Sequence, residues 1–307
     1  MSPRRRPAPL SASRSRKRDN APQPPFDQDV PIDTGIARLA RENDGSVVLY
    51  VNGVPSSQHH PEPSVLIFEY QRWMHTVISC VLRDRETAHE RSHASGPRIA
   101  HLGGGGCSLP RALAATHPTA QQTVVEIDGA LVRNARTWFD LPRSPRLRIR
   151  EDDAVRAVQQ WSDNKFDIVT RDVFSGDTTP RSVRDLGFTR HISRILAPGG
   201  LYIANCADRP GFGLLADEVA TASAVFPHVN VVAEPGQLKN RRYGNYLVLA
   251  GSQPIPTALD RELRRDAVTV RLVSDTDLHR IAQSGTITDV ITTGAAPSQP
   301  ADPSSPG

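Results

Sequence analysis

Ile99-Ala100-His101-Leu102-Gly103-Gly104-Gly105-Gly106-Cys107-Ser108-Leu109-Pro110-Arg111-Ala112-Leu113 is the stretch from which the fold can be read. Its first four residues form a short apolar run that suits a buried strand, and its last five suit a helix. Between them, glycines without side chains let backbone N–H groups approach a ligand at a helix N-terminus, where partial positive charge accumulates. The glycines do not make a dinucleotide fingerprint, because Ser108 stands where G-x-G-x-x-G read from Gly103 requires its third glycine. Nor do they make a P-loop, since no Gly-Lys-Ser/Thr follows. A loop at Gly103, Gly104 and Gly105 that admits a nucleoside without cradling a pyrophosphate fits better, although a purely structural turn has the same composition.

Downstream, short β-branched or aliphatic runs alternate with helical stretches, the pattern of a mostly parallel sheet with helices on both faces. Strands are expected at Ile99–Leu102, Gln122–Ile127, Leu147–Arg150, Phe166–Arg171 and Leu201–Asn205, with Val229–Ala233 and Tyr246–Ala250 as a closing pair. Pro198-Gly199-Gly200 is expected to end a helix carrying Leu186, Ile192 and Ile195 and to turn the chain into the fifth strand.

The strand ends carry the chemistry. Glu126 follows Gly103 by 23 residues, near the offset at which an acid reaches ribose hydroxyls in a doubly wound sheet. Asp153 followed by Ala154 suits an adenine amino group, the carboxylate accepting while a main-chain N–H donates; Glu151-Asp152-Asp153 is equally a helix cap. Asp172 ends the fourth strand beside the first, in the crevice where such sheets bind ligands. It is the candidate to orient a nucleophile or accept its proton.

Upstream, Ser46–Val51 followed by Asn52-Gly53 and Val54 predicts a β-hairpin, and Leu66–Leu82 has helical spacing. Residues 1–30 and 294–307 are rich in Pro, Ser, Ala or Arg without apolar periodicity and are expected to be disordered. This divides the chain into a basic tail at 1–30, a hairpin and helix at 31–97, a nucleoside-binding domain at 98–252, an extension at 253–293 and a tail at 294–307. The net charge of +4 is local: the first 20 residues hold seven basic residues against one acid, which leaves 30 basic and 32 acidic residues elsewhere. A nearly neutral body argues against nucleic acid as a partner. Three scattered cysteines, Cys80, Cys107 and Cys206, suggest neither a disulfide framework nor a metal site. No run is long and apolar enough to span a bilayer, so no membrane association is expected and the cytoplasm is the expected location.

Together these segments resemble the spermidine synthase (polyamine aminopropyltransferase) family over roughly Asn43–Gly251. Glu69-Tyr70-Gln71 corresponds to the family's Tyr-Gln-Glu-like helix, and Gly103–Ser108 to its Gly-Gly-Gly-Asp-Gly-Gly loop. Glu126-Ile127-Asp128 corresponds to Glu-Ile-Asp, Asp153-Ala154 to Asp-Gly, and Asp172 to the first acid of Asp-Ser-Ser-Asp. The resemblance implies a Rossmann-like class I S-adenosylmethionine-dependent transferase fold. It further implies S-adenosylmethionine or its decarboxylated form as co-substrate, a small amine or other small acceptor, and a homodimer. Gln71, Gly103, Gly104, Gly105, Glu126, Ile127, Asp153 and Ala154 would hold the donor. Tyr70, Asp172 and Ser175 would hold the acceptor, with Asp172 catalytic.

Two acids of the family pattern are absent, at Gly106 in the loop and at Ser175 after the fourth strand. Three readings follow: aminopropyl transfer to an amine, methyl transfer from intact S-adenosylmethionine, and nucleoside binding without catalysis.

Overall fold

The computed structural model describes residues 24–87, 96–176, 178–238 and 243–289. Both expected tails lie largely outside these residues. The chain opens with four antiparallel strands, β1 (Asp29–Ile32), β2 (Gly35–Arg41), β3 (Val47–Val51) and β4 (Val54–His59), paired in sequence order. Asn52 and Gly53 both take positive φ between β3 and β4, the geometry of a tight hairpin turn. Only that hairpin was expected; β1 starts at Asp29, inside the segment read as tail, so the 1–30 boundary is corrected to end before it. The turn side chain explains part of the addition, since Asn52 accepts from the Ile36 N–H (2.9 Å) and donates to the Thr34 carbonyl (3.1 Å), tying the two hairpins together.

Helix α1 (Glu69–Thr87) then crosses to the second sheet with Trp73, Met74, Val77, Ile78, Val81 and Leu82 buried along one face. The alternating part runs β5 (Arg98–Leu102), α2 (Ser108–Thr116), β6 (Gln121–Glu126), α3 (Gly129–Trp138), β7 (Leu147–Glu151), α4 (Ala154–Gln160), β8 (Phe166–Arg171), α5 (Leu186–Ile195) and β9 (Leu196–Asp208). It closes with α6 (Gly213–Ser223), β10 (His228–Ala233), α7 (Pro235–Leu238), β11 (Gly244–Gly251), α8 (Leu259–Leu263), β12 (Arg271–Leu272) and α9 (Asp275–Ser284). The sheet order is β12-β10-β11-β9-β8-β5-β6-β7. Strands β5 to β9 are mutually parallel, and β11 lies antiparallel to β9 and β10. The chain winds outward from β5 in both directions, so the gap between β5 and β8 is the switch point at which this kind of sheet binds ligands.

Strand alternation divides the core. Ile168, Ile203, Leu247 and Leu249 face α1, α2 and α8, whereas Val169, Ala204, Val248 and Ala250 face α4, α5, α6 and α9. A third cluster joins Leu39 and Leu49 of the first sheet to Leu131 and Ala135 of α3 and to Phe139, which follows it. Two boundaries differ from expectation. Helix α5 ends at Ile195, and Pro198-Gly199-Gly200 lies within β9, where the pairing with β8 skips from Leu196 opposite Phe166 to Leu201 opposite Ile168. A bulge of this kind needs the same residue types as a helix stop. Residues 253–289 are continuous with the main body, because β12 pairs with β10 and Ile281 of α9 joins the core.

Candidate active site

Every strand-end residue singled out above, Ser175 aside, lies at the carboxyl ends of β5, β6, β7 and β8. The glycine loop leaves β5 with Gly103 at φ +84°, and a side chain there would run into the Asp172 carbonyl of the adjoining strand. The Asp172 N–H in turn donates to the Leu102 carbonyl (2.8 Å). Absence of a side chain thus lets the two strand ends close on each other at the switch point.

Asp172 is partly buried and held from two sides. The Tyr70 hydroxyl donates to Oδ2 (3.0 Å), and Asn205 Nδ2 donates to Oδ1 (2.8 Å). Gln71 Nε2 donates to the Tyr70 hydroxyl (3.3 Å), and Ser108 Oγ donates to Gln71 Oε1 (2.9 Å), linking α1 to the start of α2. Burial pushes the Asp172 carboxyl above the ordinary carboxylate range. The bonds from Asn205 and Tyr70 and the nearby Arg171 guanidinium counter this, and Glu126 adds to it. Burial also raises the Tyr70 phenol, which therefore stays protonated as a donor.

Glu126 ends β6 beside the loop, and its Oε2 accepts from the N–H groups of Gly104 (3.0 Å) and Gly105 (2.9 Å). Its Oε1 accepts from the Asp128 N–H (3.2 Å). The next residue, Ile127, is the most exposed large apolar side chain among the described residues, at 62%. An aliphatic side chain left in water at a strand end offers a flat apolar surface to a base. Asp153 caps α4, accepting from the Arg156 N–H (2.9 Å), and the Ala154 N–H at the first position of that helix has no acceptor within it. Cap and ligand roles are compatible here, since one Asp153 oxygen makes the cap. Asp152 is the buried neighbour, bonded to Arg156.

Ser175 is not brought to this cluster. It is exposed in a tight turn, with its N–H donating to the Thr178 carbonyl (2.9 Å), and no hydrogen bond among the described residues joins it to Tyr70 or Asp172. Gly106 is buried against β4: a Cβ there would collide with Ser57 Oγ and stand 2.9 Å from His59 Nε2 and 3.2 Å from Leu49 Cδ2. His59 stacks on Phe139 at 3.6 Å, and burial together with Arg111 lowers its pKa to about 3, so it is neutral. The side of the loop that lacks an acid therefore faces a neutral hydroxyl and imidazole. Cys107 is buried with its thiol raised to about 12, which makes it inert.

Asn205 was missed by sequence reasoning. The signal was present, because it is the single amide in the otherwise apolar run Leu201–Cys206. Among the described residues there is no group of three or more His, Cys, Asp or Glu able to hold a metal, and no helix is long and apolar enough to cross a membrane.

The fold has a counterpart among solved structures. The crystal structure of a probable spermidine synthase from Corynebacterium glutamicum matches 89% of this chain and all of its own, at 34% identity and a TM-score of 0.80. The chain belongs to the spermidine synthase family. The profile of the spermine/spermidine synthase domain matches residues 88–229, which include the glycine loop, Glu126, Asp153 and Asp172. The polyamine aminopropyltransferase of Vibrio vulnificus is 29% identical over 110 residues, 35% of this chain and 37% of that protein. The eEF1A lysine and N-terminal methyltransferase homolog of Drosophila melanogaster is 33% identical over 142 residues, 43% of this chain and 20% of that protein. The chain thus spans well under half the length of these curated relatives, which are transferases of aminopropyl and methyl groups. The fold is that of a class I S-adenosylmethionine-dependent transferase of the spermidine synthase type, with its parallel sheet preceded by an antiparallel one.

Proposed function

We propose that the protein transfers an alkyl group from an S-adenosylmethionine-type sulfonium donor to a small amine, with Asp172 as the proton acceptor. The observation that supports this reading is the Tyr70–Asp172–Asn205 cluster at the switch point, one loop away from Glu126. Glu126 would accept from the ribose hydroxyls, Ile127 would cover one face of the base, and Asp153 with the Ala154 N–H would meet its edge. The amine nitrogen attacks the carbon next to the sulfonium, the carbon–sulfur bond breaks with its electron pair going to sulfur, and the proton leaving nitrogen passes to the Asp172 carboxylate. A carboxylate held above its ordinary range is a better acceptor near neutral pH.

With an aminopropyl donor the products are the lengthened amine and methylthioadenosine. Methyl transfer is the second reading, supported by Gly106 itself: the loop carries no acid there to repel the carboxylate of intact S-adenosylmethionine. Calorimetric titration with methylthioadenosine, S-adenosylmethionine and decarboxylated S-adenosylmethionine tests the site. Mass spectrometry of incubations with putrescine then separates the reactions by product. Binding of none of the three would overturn the nucleoside assignment. Binding with no alkylated product from any amine would leave a non-catalytic binder.

A further inference from the structure

Directly behind Asp172 lies an ion pair that the proposed reaction does not require. Arg171 is fully buried (0% exposed), and its Nη2 donates both to Glu218 Oε2 of α6 (2.6 Å) and to the Asn205 carbonyl of β9 (3.0 Å). A buried pair of this kind rarely adds stability over an apolar pair of similar size, because both charges lose their hydration. This one is also incompletely satisfied: among the described residues, Glu218 Oε1 and Asn205 Oδ1 have no hydrogen-bond partner. What distinguishes it is its place. Arg171 adjoins Asp172 along β8, and the carbonyl it holds belongs to the residue whose amide holds Asp172 Oδ1.

We infer that the Arg171–Glu218 pair is the positioning device of the Asp172 carboxylate, fixing the Asn205 tether through its backbone and setting the field in which Asp172 ionises. Arg171 and Glu218 are positioning residues, since neither side chain reaches the crevice. The groups that face Asp172 are Tyr70 from α1, Glu126 at the end of β6, Arg171 on β8 and Asn205 on β9. Around the pair, burial keeps Tyr202 and Cys206 protonated, and Asp208 and Arg184 lie beyond Cys206. The charges that bear directly on Asp172 are thus Arg171 and the loop-facing Glu126, and Glu218 is joined to the first of these. Removing the positive member must raise the Asp172 pKa, and removing the negative one must lower it. The inference deepens the reading of Asp172 as proton acceptor but concerns its ionisation alone.

The test is a carbon-13 titration of the Asp172 carboxyl in the full chain labelled on aspartate, with its resonance assigned by its loss in Asp172→Asn. Glu218→Gln should move the Asp172 midpoint down, because Arg171 is left without its counter-charge. The double variant Arg171→Met with Glu218→Gln should move it up while keeping the wild-type melting temperature, as expected when a buried pair is replaced by neutral residues of similar volume. Should Glu218→Gln not fold, the double variant decides alone. The inference is overturned if a folded variant keeps the wild-type midpoint, or if both midpoints move the same way. A pair that merely braces β8 against α6 would alter melting without moving the titration. Nucleoside binding is measured on the same samples, so a failed donor assignment shows itself separately.

Discussion

At the scale of single residues, Asp172 sets stability against activity. Its pKa in the fold is raised above the unfolded value by burial, so the fold binds the proton more tightly than the unfolded chain. The sign follows from linkage: the contribution is fully present below the unfolded pKa and is lost as pH rises through the folded one. Asp172→Asn, neutral at every pH, should therefore melt higher than the wild type at neutral pH and lose this advantage in acid, while alkyl transfer is abolished; scanning calorimetry across that range and a product assay check both halves. The acid limb of the wild-type activity profile should fall above the ordinary carboxylate range. Glu126 differs because its carboxylate already accepts from two loop N–H groups. Glu126→Gln keeps the shape and loses the charge, so methylthioadenosine should bind about tenfold more weakly or worse, at about 1.5–3 kcal/mol for a charged hydrogen bond. An unchanged dissociation constant measured by calorimetry would remove the ribose assignment.

Between elements, the first sheet is fastened to the second by Asp128, which caps α3 through the Leu131 N–H (2.7 Å) and accepts from the Thr34 N–H (2.7 Å), the Thr34 hydroxyl (2.7 Å) and the Asp33 N–H (3.2 Å). Burial alone would raise its pKa, but these bonds hold it below the ordinary value. Its contribution to stability is thus present above the unfolded aspartate pKa and lost as pH falls through the folded one. Asp128→Ala should cost about 1 kcal/mol for the cap alone and speed amide exchange in β1 and β2 while leaving β5 and β8 protected; exchange mass spectrometry reads this directly. The same fastening explains what was legible in the sequence. Strands β5 to β9 announce themselves by local composition, and so do the acids at their ends. By contrast β1 and β2 depend on Asp33 and Thr34 finding a partner some 95 residues away, a tertiary fact that no local pattern carries. Ser175 shows the converse, since matching position along a loop says nothing of where that loop turns. Gly106 belongs here too: Gly106→Asp drives a side chain into Ser57 and His59, so it should lower the melting temperature and weaken all donors alike, charged or not. Selective weakening of the carboxylate-bearing donor alone would show that the loop can swing its side chain outward.

For the molecule as a whole, all the residues of the site fall between Tyr70 and Asn205, and the family profile stops at 229, yet the fold continues to the last described residue, 289. The last strand is only two residues long, but Arg271 and Leu272 sit against Ala233 and Val232, and the Val273 N–H donates to the Val231 carbonyl (2.8 Å). Val231, Val232 and Ala233 are all completely buried. A chain cut after Gly251 keeps the glycine loop, Glu126, Asp172 and Asn205, but leaves β10 with one side of its backbone unpaired and its apolar side chains uncovered by α8 and α9. Such an open border is a template for another chain to add to. The shortened protein should therefore scatter light and bind amyloid-type dyes at concentrations where the full chain stays clear, and a lysine in place of Val229 should suppress this. The two residues of β12 thus cover part of a border that would otherwise stand open to a neighbour.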